Sequence, residues 1–193
     1  MAKRRAPKCH CALCSKVLFG FDDDMELRAL SLPSGHELAP FPGQFMCGDC
    51  FESWPLRTQY GHHRVEYIQK EPEKTTRESV YSDERCLLQI EIETETVSWR
   101  PLTLQPKSEH RAGLWLRSSG TELVISLSEW GNSIPKPRED KRLRPCEKSA
   151  LQEIWNGLTE KYPTGAEILA EVDVDSVLRR HEQWLNRDRE SGQ

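Results

Sequence analysis

The sequence predicts a protein of the α+β class, in which a small cysteine-rich module precedes an antiparallel β-meander and C-terminal helices. Two Cys-x-x-Cys pairs define the module, and an alternation of apolar and polar residues over 86–127 indicates strands. Apolar residues at helical spacing over 151–185 indicate helices. At 193 residues the chain has room for one ordinary domain, or for one domain and a small appendage.

The bulk composition narrows the classes of function. Hydrophobic residues make up 36% of the chain and charged residues 30%, and the mean hydropathy of -0.71 is on the polar side of globular. No apolar stretch approaches the roughly 18 residues that span a bilayer, and the N-terminus leads into cysteines, so we expect neither a signal peptide nor a membrane protein. The net charge of -4 gives no overall electrostatic reason to bind nucleic acid.

Changes of composition divide the chain into six segments. They are a basic N-terminal tail (1–8), a cysteine-rich module (9–68), a linker (69–79), an antiparallel sheet (80–133), a loop rich in proline and basic residues (134–146) and C-terminal helices packed on the sheet (147–193). Within the module, residues 51–54 indicate one or two helical turns that end at Pro55, and residues 63–67 indicate a short strand.

The sheet is predicted from four apolar segments. Residues 86–93 alternate between apolar and more polar side chains, which is typical of a strand with one buried face. Residues 97–104 repeat this pattern. Residues 114–117 and 123–127 are joined through 118–121, whose Ser-Ser-Gly sequence is a hairpin signal because glycine adopts positive φ at little cost. Four successive strands predict an antiparallel meander.

The C-terminal third predicts helices with one apolar face. The face of the first helix is formed by Leu151, Ile154, Trp155, Leu158 and Tyr162. Pro163 follows and ends this helix. Thr164 and Glu167 then have the spacing of a capping box at the start of a second helix, and Asp173 can cap a third.

The seven cysteines are the most specific signal in the sequence. Four of them form two Cys-x-x-Cys pairs, Cys11 with Cys14 and Cys47 with Cys50, and residues 15–46 lie between the pairs. A Cys-x-x-Cys turn lets two thiolates reach one ion, and Zn²⁺ is usually held tetrahedrally by four nitrogen or sulfur ligands. We therefore predict one structural zinc per chain with these four cysteines as ligands. The odd number of cysteines fits a reducing, intracellular compartment.

Several alternatives stay open at this stage. The four cysteines could be buried thiols or a redox pair, because Cys-x-x-Cys is also a redox motif, and Cys9 could replace Cys11 as a ligand. A second zinc would need ligands from the remaining candidates, which are Cys9, His10, His36, His62, His63, Cys86 and Cys146. For Cys86, in a strand pattern, and Cys146, beside a helix, we expect burial as small apolar side chains.

Two Cys-x-x-Cys pairs with a long insert between them, and a short helix directly after the second, resemble a treble-clef zinc finger. Within that group, residues 11–14, 19–21, 47–52 and 61–65 resemble the ZZ-type finger. The middle cysteine pairs of the ZZ family have no counterpart in residues 22–46, so the resemblance implies one zinc site and does not imply His62 and His63 as ligands. It does imply recognition of a protein segment, often an N-terminal tail, by an acidic pocket. The acidic residues available for such a pocket are Asp22, Asp23, Asp24 and Asp49.

The same arrangement is similar to that of HNH-type nucleases, in which a histidine general base lies between the cysteine pairs. His36 is the candidate for that base, and Glu37 stands beside it. Hydrolysis of a phosphodiester needs a base and a divalent ion that polarises the phosphate. Phe51 follows Cys50 where this family often has Asn.

Two functional hypotheses follow. The first is a non-enzymatic, intracellular zinc-binding adaptor or regulatory protein that acts through protein–protein recognition and has no catalytic residues. The alternative is a nucleic-acid-binding protein or HNH-like nuclease that uses His36 and two basic segments to contact phosphates. Those segments contribute Lys3, Arg4, Arg5 and Lys8, then Lys136, Arg138, Lys141, Arg142 and Arg144. We expect no membrane partner, and the oligomeric state is left open.

Overall fold

A computed structural model describes residues 9–18, 24–27, 30, 32–70, 72–99, 101–137, 143 and 145–191. The basic tail, Asp22 and Asp23, and all four basic residues of the 138–144 segment lie outside the described residues. Within the described part the chain is α+β, with a five-stranded antiparallel sheet, helices and a cysteine cluster near the N-terminus.

The N-terminal region contains short strands and two helices. These are β1 (Cys9–His10), β2 (Val17–Leu18), β3 (Asp24–Glu26), β4 (Phe45–Cys47), α1 (Gly48–Ser53) and α2 (Arg57–Gln69). β1 pairs with β2, and β3 pairs with β4, both antiparallel. The predicted helical turns before Pro55 are confirmed by α1.

The predicted strand over residues 63–67 is wrong, because these residues belong to α2. His63, Val65 and Tyr67 alternate as in a strand, but only Val65 is buried completely. No side chain caps the N-terminus of α2 and its polar character leaves no clear apolar stripe. Local signals for this helix are therefore weak, and its contacts with the rest of the protein hold it in place.

The main sheet and a separate hairpin follow. Their strands are β5 (Arg77–Ser82), β6 (Cys86–Glu91), β7 (Thr94–Trp99), β8 (Leu102–Pro106), β9 (Arg111–Leu116), β10 (Thr121–Ser126) and β11 (Lys136–Pro137). The five-stranded sheet has the order β11-β10-β9-β6-β5, and the predicted β9–β10 hairpin is confirmed.

The predicted four-stranded meander is wrong at its second strand. Residues 97–104 do not form one strand, since they belong to β7 and β8, which pair only with each other among the described strands. Pro101 lies between the two strands and cannot donate to a ladder. β6 therefore pairs directly with β9. The sheet also begins earlier than the sequence indicated, because β5 starts at Arg77, within the predicted linker.

Three helices follow in the described C-terminal part: α3 (Pro145–Lys161), α4 (Gly165–Ala170) and α5 (Val174–Ser191). The predicted face of α3 is confirmed, because Leu151, Ile154, Trp155, Leu158 and Tyr162 are all buried. They pack in the core with residues of β6, β9 and β10. The Thr164–Glu167 capping box is present, and Asp173 accepts a hydrogen bond from the Ser176 amide at the start of α5. No helix among the described residues is long and apolar enough to cross a membrane.

The strand β6 is buried on both faces, whereas the alternation in its sequence predicted only one buried face. Leu87 and Gln89 are as buried as the core residues beside them. Leu87 packs with Trp115 and with Val65 of α2, so the N-terminal region covers this part of the second face. Gly61 permits the close approach, because a Cβ there would lie 2.1 Å from the Arg117 carbonyl oxygen.

Candidate metal centre

The first Cys-x-x-Cys pair lies in the turn that joins β1 to β2. The Cys11 amide donates to the Lys16 carbonyl over 2.9 Å, and the Ser15 amide donates to the Cys11 carbonyl over 2.9 Å. Ser15 has φ of 60°, a left-handed conformation that glycine adopts more readily. The tight turn brings Cys11 and Cys14 to the same side of the hairpin, where both sulfurs join one cluster.

The second pair lies where β4 passes into α1. Cys47 is the residue before the helix and Cys50 lies in its first turn. The two pairs are joined by backbone, because the Ala12 amide donates to the Phe45 carbonyl over 2.8 Å and Cys11 forms a bridge with Phe45. Phe45 is a residue that the sequence did not single out, since its contribution is a carbonyl oxygen and no side-chain pattern reveals it.

The four predicted cysteines come together in space. The sulfurs of Cys11, Cys14, Cys47 and Cys50 all lie within 4.8 Å of one another. The Cys14 and Cys47 sulfurs are 3.8 Å apart, far beyond a disulfide bond, and all four side chains are free thiols. Such a cluster could hold a metal ion.

Backbone amides surround the cluster and favour ionised sulfur. Burial by itself raises the pKa of Cys11, but hydrogen bonds from the amides of Cys14, Cys47 and Leu13 outweigh it and lower that pKa to about 6. Burial raises the pKa of Cys47, opposed by a hydrogen bond from the Cys50 amide. The neighbouring sulfur of Cys47, followed by that of Cys14, raises the pKa of Cys50 to about 12. The Cys11 thiolate is thus stabilised, and ionising Cys47 and Cys50 beside it is costly unless a cation compensates the charge.

A small apolar core supports the site. Cys11 and Cys47 are buried together with Leu18, Leu38, Met46 and Phe51. The Trp54 ring meets the Phe41 ring edge-on and the Tyr60 ring at a tilt, with ring centroids 4.8 and 5.9 Å apart. Cys14 lies at the surface, so the cluster is buried on one side and accessible on the other.

The remaining candidate ligands lie elsewhere. Cys9 is half-buried in β1 and is not part of the cluster, whereas Cys11 is. No second group of three or more possible ligands occurs among the described side chains, so nothing there assembles a second site around His62 or His63. Cys86 is fully buried in β6, which confirms that expectation, while the Cys146 side chain lies outside the described part.

His36 is not a member of the cysteine cluster. Its Nδ1 accepts a hydrogen bond from the Leu38 amide over 3.1 Å, and its ring meets that of His63 edge-on at 4.9 Å. Neither histidine belongs to a possible metal group among the described residues. Of the acidic residues considered for a pocket, Asp49 is exposed in the first turn of α1, and the side chain of Asp24 lies outside the description.

No protein-family model, curated protein or solved structure matches the chain at a significant level. The geometry of the cysteine cluster is therefore the most specific functional observation for this protein.

Proposed function

We propose that Cys11, Cys14, Cys47 and Cys50 bind one zinc ion. The observation that carries this proposal is the mutual distance of their sulfurs, all within 4.8 Å. In a tetrahedral site with Zn–S bonds of about 2.3 Å, neighbouring sulfurs are about 3.8 Å apart. The separation of the Cys14 and Cys47 sulfurs equals that spacing, 3.8 Å. The other pairs need only small side-chain adjustments to reach it.

The donor set also favours zinc and a structural role. Soft thiolate ligands in tetrahedral geometry select zinc or iron–sulfur chemistry over magnesium or calcium. Four cysteines fill all four positions of a zinc ion, whereas catalytic zinc keeps one position for water or substrate. Amide hydrogen bonds to Cys11 and Cys47 are the outer interactions that orient thiolate ligands.

The elements that carry the cysteines support a treble-clef arrangement. One pair lies in a β-hairpin turn, and the other lies at the start of a helix that follows a second hairpin. This is the order that the sequence resemblance to treble-clef fingers implies. The ion would lock the turn between β1 and β2 to the N-terminus of α1.

We propose further that the protein acts inside the cell by recognising a protein partner, as an adaptor or regulator, and not as an enzyme. A saturated metal site offers no Lewis acid to a substrate. The alternative of nucleic-acid binding or HNH-like cleavage gains no support from His36, whose Nδ1 is taken up by the Leu38 amide.

Metal content and ligand substitution test this function together. Native mass spectrometry of the full chain should find one zinc, and Co²⁺ in its place should give the absorption of a tetrahedral thiolate site. Cys14→Ser or Cys50→Ser should abolish stoichiometric binding, and Cys9→Ser, the matched control, should retain it. Binding that survives in Cys14→Ser but disappears in Cys9→Ser would contradict the ligand set. Metal-dependent nicking of DNA that is lost in His36→Ala would contradict the non-enzymatic role.

A further inference from the structure

A cleft lies between the β5–β6 turn and the C-terminal half of α3. Its volume is about 70 Å³, and it is partly open to solvent. The lining combines apolar residues of α3, which are Ile154, Gly157 and Leu158, with the exposed charged side chains of Arg85 and Lys161. Pockets that enclose whole small molecules have roughly 300–1,000 Å³, so this cleft admits a single small group.

Packing does not require the glycine in this cleft. A Cβ at Gly61 or Gly165 would lie 2.1 Å from a backbone carbonyl oxygen, so close packing explains those two glycines. A Cβ at Gly157 would meet nothing within 4 Å. A glycine inside a helix destabilises that helix relative to alanine. The space beside Gly157 is therefore kept open although no part of the described fold fills it, as expected where a bound group enters.

The only carboxylate that lines the cleft is already engaged. Asp83 accepts from the Arg85 and Cys86 amides over 2.9 and 2.8 Å. It also accepts from the Tyr81 hydroxyl over 3.0 Å. The Arg85 guanidinium contacts Asp83 through Nε and Nη2, so its Nη1 group has no partner among the described residues.

Lys161 makes no ion pair with any described residue. Its ammonium lies 4.6 Å from the centroid of the Tyr81 ring and 5.0 Å from that of Tyr162. Aromatic faces attract a cation, but they do not use its N–H donors as a carboxylate would. Because Asp83 balances only one of the two cations, the groups that line the cleft carry one net positive charge and free donors. These charges favour an anionic ligand.

We propose that this cleft binds the C-terminal residue of a partner protein, with its free carboxylate on Lys161 and Arg85 and a short aliphatic side chain against Gly157 and Leu158. Ammonium and guanidinium groups form charge-assisted hydrogen bonds with carboxylates. An inorganic anion would leave the apolar wall unused, and a neutral alkyl group would leave the two cations unused. A chain terminus carries its carboxylate and its side chain on one carbon atom, so a single residue satisfies both.

This site rests on the proposed role in protein recognition, but it does not depend on the metal. No residue that lines the cleft belongs to the cysteine cluster. Metal content therefore tests the zinc site separately.

Titration of the zinc-loaded full chain with a synthetic peptide tests the cleft. The probe is a short glycine–serine peptide that ends in valine with a free carboxylate. It should shift the NMR signals of amides in 83–86 and 154–161, with a dissociation constant on the order of 100 µM. The same peptide with a C-terminal amide should bind at least about tenfold more weakly, since the carboxylate charge is lost.

Three variants separate the charge from the shape of the site. Lys161→Gln should weaken binding of the valine peptide about tenfold. Lys148→Gln, the matched control, removes the same charge from the same helix outside the cleft and should leave binding unchanged. Gly157→Ala puts a methyl group into the open space, so it should weaken binding of the valine peptide about tenfold and leave a glycine-ended peptide unaffected. Urea unfolding verifies that each variant is folded.

Several results would overturn the proposal. They are the absence of shifts in 83–86 and 154–161 at about 1 mM peptide, equal binding of the amidated peptide, and equal losses in Lys161→Gln and Lys148→Gln. N-acetylvaline that binds as tightly as the peptide would overturn the assignment to a protein terminus. A partner protein that binds through another surface while the peptide fails would overturn this site and support the adaptor role.

Discussion

The N-terminal region and the sheet–helix region are stabilised in different ways. Around the cysteine cluster, the strands are two or three residues long and the described core contains nine buried residues, two of which are cysteines of the cluster. In the sheet–helix region, β6, β9 and β10 have six residues each and the described core contains nineteen buried residues. Because the first core is less than half the size of the second, a bound metal would supply a larger share of the stability of the N-terminal region. The cysteine cluster, which could hold a metal ion, lies in the region with the smaller core.

Removing the proposed zinc should have the largest effect, and this effect should be confined to the N-terminal region. Structural zinc supplies on the order of 10–16 kcal/mol of apparent binding free energy, so chelation should unfold the N-terminal region. Thiol alkylation near pH 8, read by peptide mass spectrometry, should then label the four clustered cysteines. Cys86 should stay unlabelled, because it is fully buried and burial raises its pKa to about 12. Labelling of Cys86 on chelation alone would show that the two regions unfold together.

A core substitution in the sheet should produce the converse result. Leu114 is fully buried in β9, and Leu114→Ala should lower the free energy of unfolding by about 2–5 kcal/mol, measured by urea denaturation. The metal affinity should not change, since Leu114 belongs to the other core. A matching loss of metal affinity would contradict the separation of the two regions.

Gly61 tests the contact between the regions. A methyl group there would lie 2.1 Å from the Arg117 carbonyl and 2.6 Å from the Ser119 amide nitrogen, so α2 must move away from the β9–β10 hairpin. Gly61→Ala should therefore cost about 1–3 kcal/mol in thermal or urea unfolding. Gly157→Ala in α3 is the control, because nothing lies within 4 Å of its added methyl. It should stabilise by about 0.5–1 kcal/mol, and destabilisation there would contradict the open packing at that site.

The smallest expected effect is at the capping box before α4. Thr164 accepts from the Glu167 amide, and Glu167 accepts from the Thr164 amide. Thr164→Ala should lower the unfolding free energy by about 0.5–2 kcal/mol without any change in metal binding. An effect above this range would mean that Thr164 also supports packing of α4 on the sheet region.

Signals that act over a few residues were predictable from the sequence. The face of α3, the capping box and the β9–β10 hairpin each depend on spacing that is fixed by local geometry. The cysteine cluster was predictable for the same reason, because each Cys-x-x-Cys turn constrains two sulfurs at once. The sequence could not decide between Cys11 and Cys9 as the ligand, because that choice depends on the bridge between Cys11 and Phe45.

Features that depend on distant contacts escaped prediction. The helix α2 has no side-chain cap, and its position depends on Gly61 fitting against the β9–β10 turn. The burial of Leu87 follows from that packing. The alternation of residues in β6 therefore predicted one buried face of the strand and missed the second. The division of 97–104 into β7 and β8 had one local sign, Pro101, whose missing amide favours a break in a strand.

Hydrogen exchange with and without a chelator tests most directly whether a metal stabilises one region and apolar burial the other. Measured by mass spectrometry on the full chain, exchange in 9–18 and 32–56 should accelerate to nearly unprotected rates when the metal is removed. Protection in β6, β9 and α3 should remain close to that of the metal-bound protein. Loss of protection in both regions together, or no change in either, would contradict this account.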